Sequence, residues 1–454
     1  MTTQRPVPNF PPSIVQAPPL AEDGLALAFT RDWADYLRYT AKWGRWNMWN
    51  GSYWESDDTN IVFDLVRKSC RRATAHCQTE KDEFRIASAA TISAVERLAA
   101  ADRRHAATVD QWDADLWILN TPDGVIDLRS GNLLPAKPED YCTKITAVSP
   151  GGECPLWKKF LSRVTDQNKE LEQFLQRMVG YSLTGITREH AWFFLYGTGA
   201  NGKSVFMNTI SGLLSNYAKP AAIETFTSSP FDQHPTDLAW LQGARFVTAT
   251  ETESYRAWAE AKIKRLTGGD PIPARFMRQD YFQYIPQFKL VIAGNNKPTL
   301  RTNDEATRRR INLVPFTVTI PPAERDPELA NKLQVEWGGI LGWALEGCRE
   351  WQLQGLNAPA IVRGATEEYL AAEDTLGQWL EECCNVGPEL SSTVAELFRS
   401  WHSWWTQRGE EEIPYTNKSC KWFSQELEKR GMVRDRTSTE RIFRGLSLKP
   451  NEAP

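Results

Sequence analysis

Residues Gly197–Ser204 read GTGANGKS, which fits G-x-x-x-x-G-K-[ST] without a gap. Glycines in such a run let backbone N–H groups crowd around phosphate oxygens, and a helix N-terminus behind them adds partial positive charge. Gly197, Thr198, Gly199, Ala200, Asn201 and Gly202 form the expected cradle for ATP. Lys203 is expected to reach the β- and γ-phosphates, and Ser204 to ligate Mg²⁺. Hydrolysis needs further groups. In ARFVTATETE (Ala244–Glu253), Glu251 and then Glu253 stand at the carboxyl end of an apolar run. A carboxylate there can hold Mg²⁺ through water and polarise the attacking water. In FKLVIAGNN (Phe288–Asn296), Asn295 is the amide expected to position that water, with Asn296 in the turn before Lys297-Pro298. In ATRRRINLVPF (Ala306–Phe316), Arg310 or Arg309 is the cation expected to reach a neighbouring copy's triphosphate. Such an arginine is worth ~10³–10⁵ in rate.

These groups need elements to hold them. AWFFLY (Ala191–Tyr196) is a short apolar run bounded by a turn, the pattern of a strand in a parallel sheet. VFMNTISGLL (Val205–Leu214) places Phe206, Ile210 and Leu213 on one helical face. Phe246–Thr250 and Phe288–Asn296 read as two more strands. Ahead of them, Pro155–Gly185 reads as two amphipathic helices, one with Leu156, Phe160, Leu161 and Val164, the other with Leu171, Phe174, Leu175 and Met178.

Between the last two strands, Leu266–Leu290 has a Gly-Gly-Asp turn and the alternation of a β-hairpin. From Lys262 to Arg310 there are eleven Lys/Arg against four Asp/Glu. Arg275, Arg278 and Lys289 are interleaved with Phe276, Tyr281, Phe282 and Tyr284. Charge for phosphates and rings for stacking is the mixture of a single-stranded DNA channel.

The 454 residues exceed one hydrophobic core, and the net charge of −4 excludes a globally basic nucleic-acid binder. Eight cysteines without a C-x-x-C pair, no signal peptide and no apolar run of transmembrane length fit a reduced, cytoplasmic protein with no membrane partner. Residues 1–24 carry six prolines and read as a disordered tail. From 25 to 150 a tryptophan-rich α+β domain is expected, with an Asn-Gly hairpin near Trp43–Trp54 and helices over 61–75 and 83–100. Asp113 and Asp115 lack the partner carboxylates that a metal site needs. Toward the carboxyl end, Thr393-Val-Ala-Glu396 is a capping box opening a helix with Leu397, Phe398, Trp401 and Trp405 inward. A helix over 417–430 and a hairpin around Thr437–Glu440 follow, which is winged-helix order. Ile413–Lys449 holds nine Lys/Arg against four Asp/Glu; Lys418, Lys421, Arg434, Arg436 and Arg441 are the expected contacts to duplex DNA.

From about Trp112 to Phe316 the order of these stretches resembles the superfamily 3 helicase portion of phage and plasmid primase–helicases, the class that includes the poxvirus primase–helicase. WILNTPDGVIDLRSGNL, GYSLTG, FFLYGTGANGKS, ATETE, IKRLTGGDPIPARFM, FKLVIAGNNKP and TRRRINLVPF carry the resemblance. It implies an α/β fold with an AAA+-like P-loop ATPase core, an N-terminal α+β domain and a C-terminal winged-helix domain. It also implies a homohexameric ring with ATP between protomers, single-stranded DNA in the pore and 3′→5′ translocation. The expected domains are a tail (1–24), the N-terminal domain (25–150), a helical collar (151–190), the ATPase core (191–325), a helical lid (326–374) and the winged helix (375–449). No primase domain is expected upstream of Leu25, so a separate primase or polymerase is the expected partner. Arg308 stands where that family commonly carries a bulky apolar residue. The expected activity is ATP-dependent DNA unwinding in replication of a phage, prophage or plasmid. A DNA-binding regulatory ATPase and a primase-recruiting scaffold are the alternatives.

Overall fold

A strand flanked by neighbours on both edges and covered on both faces must be apolar at every position. Trp192–Tyr196 meets that requirement and is an interior strand of a five-stranded parallel sheet. The computed structural model describes residues 17–228, 236–250, 257–278, 280–300, 305–407, 419–437 and 440–449. Across the sheet the order is Ile311–Pro315, Trp192–Tyr196, Lys289–Gly294, Phe246–Thr250, Ala218–Pro220. Leu290 pairs with Trp192 and Val247, and Ile311 with Trp192, so the carboxyl ends of the three central strands lie level.

Alternation along each strand divides its side chains between two layers. Trp192 and Phe194 join Leu290, Ile292, Ile311 and Leu313 in a buried cluster with Trp258, Ala365 and Tyr369. From Trp192–Tyr196, Phe193 meets Phe174 of the helix Lys169–Leu183, ring centroids 6.1 Å apart. That helix packs closely on Trp337–Gln354 through two glycines. A Cβ on Gly180 would sit 2.0 Å from the backbone N of Cys348, and one on Gly347 2.1 Å from the carbonyl oxygen of Gln176. The first glycine of GYSLTG, Gly180, is therefore a helix-packing residue.

The chain divides into two compact units, Met1–Ser149 and Pro150–Pro454. In the first, the antiparallel strands Leu37–Thr40, Arg45–Trp49 and Trp54–Ser56 form one sheet, and Ile118–Thr121, Gly124–Asp127 and Asn132–Leu134 form another. Trp46, Trp54 and Trp112 are buried and the neighbouring tryptophans pack against them, so these rings build core. The helix expected over 83–100 is two helices, Glu80–Ile86 and Ala89–Ala101. Ser88 Oγ accepts from Thr91 N at 3.2 Å and starts the second. Asp113 accepts from Thr143 N and Oγ1, and Asp115 pairs with Arg129 at 2.9 Å, so both carboxylates are structural.

Within the second unit, residues from 375 onward carry their own apolar cluster around Trp379, Trp401 and Phe423. The capping box forms: Thr393 Oγ1 accepts from Glu396 N at 3.2 Å, and Glu396 Oε2 from Thr393 N at 3.1 Å. It opens the helix Val394–Gln407; the helix Cys420–Lys429 follows. Strands Val433–Arg436 and Arg441–Leu448 make the expected hairpin. Cys384–Thr393 adds a third strand beside Arg441–Leu448 that the sequence reading missed.

Candidate functional site

The loop that leaves Trp192–Tyr196 must turn at once into the helix Lys203–Leu214, and its geometry requires glycine. Gly199 and Gly202 have φ of +101° and +86°, in the region that disfavours a side chain. A Cβ on Gly202 would also lie 2.6 Å from Val164 Cγ1 and 2.9 Å from Phe160 Cε2, so the helix Pro155–Val164 sets how tightly the loop closes. Asn201 Nδ2 donates to the Phe316 carbonyl at 2.7 Å, and Ile320 N donates to the Ala200 carbonyl at 2.8 Å. The loop is thus tied to the chain just beyond the adjacent strand Ile311–Pro315.

Lys203 is the centre of the site. Its side chain is buried, and Nζ donates to Gly197 O at 2.7 Å, Asn201 Oδ1 at 3.1 Å and Asn295 Oδ1 at 3.2 Å. Burial lowers its pKa from the ordinary lysine value. A desolvated ammonium whose partners among the described residues are neutral oxygens, at a helix N-terminus, has the chemistry of an anion site. Ser204 is exposed in the first helical turn, and Thr198 and Ala200 are exposed in the loop.

Asn295 follows the strand Lys289–Gly294, which lies beside Trp192–Tyr196, with Gly294 opposite Tyr196. That register brings Asn295 to Lys203 across 92 positions of sequence. On the other side of Lys289–Gly294 stands Phe246–Thr250, whose last residue pairs with Ala293. Glu251 and Glu253 lie outside the described residues, as do 252 and 254–256.

The two arginines expected to reach a neighbouring copy have unlike surroundings. Arg310 is 9% exposed; Nη1 donates to Ala306 O at 2.8 Å, and Nη2 lies 3.5 Å from His190 Nδ1. Its own carbonyl accepts from Trp192 N at 2.9 Å, so Arg310 belongs to the sheet edge of its own protomer. Arg308 and Arg309, at the end of the short helix Glu305–Arg308, are exposed. Arg309 is thereby the member of the expected pair that faces outward.

Ile272–Ala274 and Phe282–Tyr284 pair antiparallel as the expected hairpin. Beyond the ladder, Arg275 stacks over the Tyr281 ring at 4.8 Å and Phe276 stacks on Phe282 at 5.7 Å. Met277 and Tyr281 are 70% and 62% exposed, and Arg278 is exposed with φ of +61°. Tyr284 points inward and donates to Leu238 O at 2.5 Å. Lys289 also points inward, which corrects its expected place in the DNA channel. It is 1% exposed, and Nζ is held by the carbonyls of Thr184, Ile186 and Gln287, leaving nothing for a DNA phosphate. Burial and the Arg245 charge hold its pKa well below the ordinary value.

In the carboxyl-terminal module Lys421, Arg434, Arg436 and Arg441 are exposed, and Lys418 lies outside the described residues. Arg436 and Arg441 are directly opposite across the hairpin, a like-charge pair. Arg434 reaches Glu428 at 3.5 Å.

Two family models match the chain. One, described as "D5 N terminal like", covers residues 26–166; the other, a family of unknown function (DUF5906), covers 195–310. "Putative helicase L207/L206" of Acanthamoeba polyphaga mimivirus is 26% identical over 323 residues, 64% of this chain and 33% of that protein. "Putative helicase 022R" of Frog virus 3 (isolate Goorha) is 25% identical over 255 residues, 51% of this chain and 26% of that protein. The chain spans about a third or less of the length of these relatives. Among solved structures, the apo structure of the NrS-1 C terminal region (305-718) is similar in fold, with a TM-score of 0.50 at 10% identity, covering 93% of this chain and 98% of that one. Among the described residues no helix is long and apolar enough to cross a membrane. Taken together, the chain is similar over residues 26–166 to the D5 N terminal like family and over about half or more of its length to viral proteins named as putative helicases.

Proposed function

We propose that the chain is an ATP- and Mg²⁺-dependent DNA helicase of the superfamily 3 type, acting as a homohexamer in the replication of a phage, prophage or plasmid. The observation that carries this reading is the convergence of Lys203 and Asn295, 3.2 Å apart at the carboxyl edge of adjacent parallel strands. That edge is where open α/β sheets bind ligands. Gly197–Gly202 would supply backbone donors to the triphosphate, and Lys203 would exchange its neutral oxygen partners for phosphate oxygens. Ser204, with Glu251 and Glu253, would hold Mg²⁺, which supplies neutralisation of phosphate charge. Asn295 would orient the attacking water, and an exposed arginine, Arg309, would reach the triphosphate of the next protomer.

Work on DNA would come from the exposed hairpin. Arg275 and Arg278 would contact the backbone of a single strand in the ring pore while Phe276 and Tyr281 stack on its bases. Lys421, Arg434, Arg436 and Arg441 would contact duplex DNA through a winged helix. The polarity in this reading is 3′→5′, and a separate primase or polymerase is the partner.

The test is ATP hydrolysis and strand displacement on a duplex with a 3′ single-stranded tail. Wild-type protein unwinds it with ATP and Mg²⁺, and Lys203→Ala keeps its fold and loses both activities. ATP hydrolysis that ignores DNA and displaces nothing would favour a regulatory ATPase instead.

A further inference from the structure

The turn that follows Asn295 is pinned from three directions. Lys297 Nζ lies 4.3 Å from the centroid of the Tyr196 ring, directly before Gly197. Thr299 O accepts from Trp258 N at 3.0 Å, and Leu300 N donates to Glu373 Oε2 at 2.8 Å. Pro298 O accepts from the Tyr369 hydroxyl. That same hydroxyl accepts from Trp258 Nε1 at 3.2 Å. Tyr369 is 4% exposed, on the inner face of the helix Ala360–Ala372.

Trp258 is seven positions beyond Glu251, and Pro298 is three beyond Asn295. One phenol oxygen therefore joins the chain returning from the acidic segment to the chain leaving the asparagine. We propose that Tyr369 is a positioning residue for ATP hydrolysis, holding the turn after Asn295 against Trp258, with Glu373 securing the far end of the turn. The inference rests on the reading of Asn295 as a hydrolysis group. A ring that served packing alone would need no hydroxyl, because Tyr369 already lies in the apolar cluster with Trp192, Trp258 and Leu313. The buried hydroxyl instead satisfies one donor and one acceptor from segments 40 positions apart.

Tyr369→Phe keeps the ring and removes only the hydroxyl; Glu373→Gln keeps an acceptor for Leu300 N, and Glu373→Ala removes it. In the full-length chain, Tyr369→Phe and Glu373→Ala lower kcat for ATP about tenfold with KM within about twofold, and Glu373→Gln stays near wild type. Without nucleotide, amide hydrogen exchange at residues 297–300 quickens about tenfold in Tyr369→Phe. Unchanged kcat with unchanged exchange overturns the inference. So does a loss of kcat matched by a loss of thermal stability that Glu373→Gln shares, since that marks a merely structural role. If wild-type protein shows no Lys203-dependent hydrolysis, the helicase reading fails and the positioning role falls with it. The exchange result then reports separately whether the hydroxyl orders the turn.

Discussion

Arg309 and Arg310 are neighbours in sequence with opposite surroundings, and replacing each by alanine separates two kinds of loss. Arg310→Ala removes a buried guanidinium bonded to Ala306 O at 2.8 Å and set against His190. Lost packing and an unpaired buried carbonyl cost ~2–4 kcal/mol. At ~2–4 °C per kcal/mol for a large domain, Tm falls by roughly 4–16 °C. Arg309 is exposed, so its truncation moves stability by no more than about 0.5 kcal/mol. It should nonetheless slow ATP hydrolysis by ~10³ or more if the side chain serves a neighbour's triphosphate. The assay is paired: thermal denaturation of each variant, then steady-state ATPase alone and after mixing with Lys203→Ala. In a mixed assembly, some seams carry an intact Lys203 from one protomer and an intact Arg309 from the next. Mixing therefore restores activity to Arg309→Ala. A stable Arg310→Ala that hydrolyses poorly, beside an active Arg309→Ala, would refute the assignment. Failure of mixing to restore any activity would refute the role in trans.

Further expectations follow from single contacts. Gly202→Ala places a Cβ 2.6 Å from Val164 Cγ1 at a φ of +86°, so it should cost ~2–4 kcal/mol and weaken nucleotide binding; an unchanged Tm contradicts this. Burial holds the Lys289 pKa well below 10.5, so between that depressed value and 10.5 the unfolded chain binds more protons than the folded one. Stability therefore gains from Lys289 as pH rises through that window. Lys289→Met removes this contribution and leaves DNA affinity unchanged; chemical denaturation across alkaline pH and DNA titration check both, and weakened DNA binding in a stable protein contradicts the structural role. Arg278→Ala should weaken single-strand binding and lower the slope of log K against log salt by about 1. An unchanged slope removes Arg278 from the DNA surface.

The parts of this architecture that were legible in the sequence are those with local causes. AWFFLY, FVTAT and KLVIAG announce strands of a parallel sheet because each is short, mostly apolar or β-branched, and ends at a turn. GTGANGKS fixes the loop because three of its residues are glycine. Tertiary causes left no such trace. The inward turn of Lys289 depends on carbonyls at 184 and 186, more than 100 positions away, and in sequence it reads as one more cation among aromatic rings. Arg310 differs from Arg309 only by falling on the sheet edge beside Trp192. The strand Cys384–Thr393 contains Gly387-Pro388 and pairs with residues some 50 positions onward, across a register shift, so no alternation marks it. Within the expected helical lid, the helices Leu329–Val335 and Trp337–Gln354 meet at Glu336. The Glu336 carboxylate accepts from Leu156 N at 3.0 Å and Trp157 N at 2.9 Å, capping a helix 180 positions earlier.

Tyr369, Trp258 and Glu373 were missed for a related reason. Each is an ordinary residue in a helical or loop pattern, and only the fold gathers them behind Asn295. Val362, Ala365, Tyr369 and Leu370 mark an inward face, but nothing local marks a hydroxyl with two partners.

Particle images of the chain with Mg²⁺, a non-hydrolysable ATP analogue and single-stranded DNA test the central claim most directly. The account predicts a closed ring with nucleotide seated on Gly197–Ser204, an arginine of the adjacent protomer at its outer phosphate, and the strand inside against residues 275–281. A monomer with nucleotide enclosed by one chain, or a ring with residues 197–204 empty and DNA outside, would contradict it.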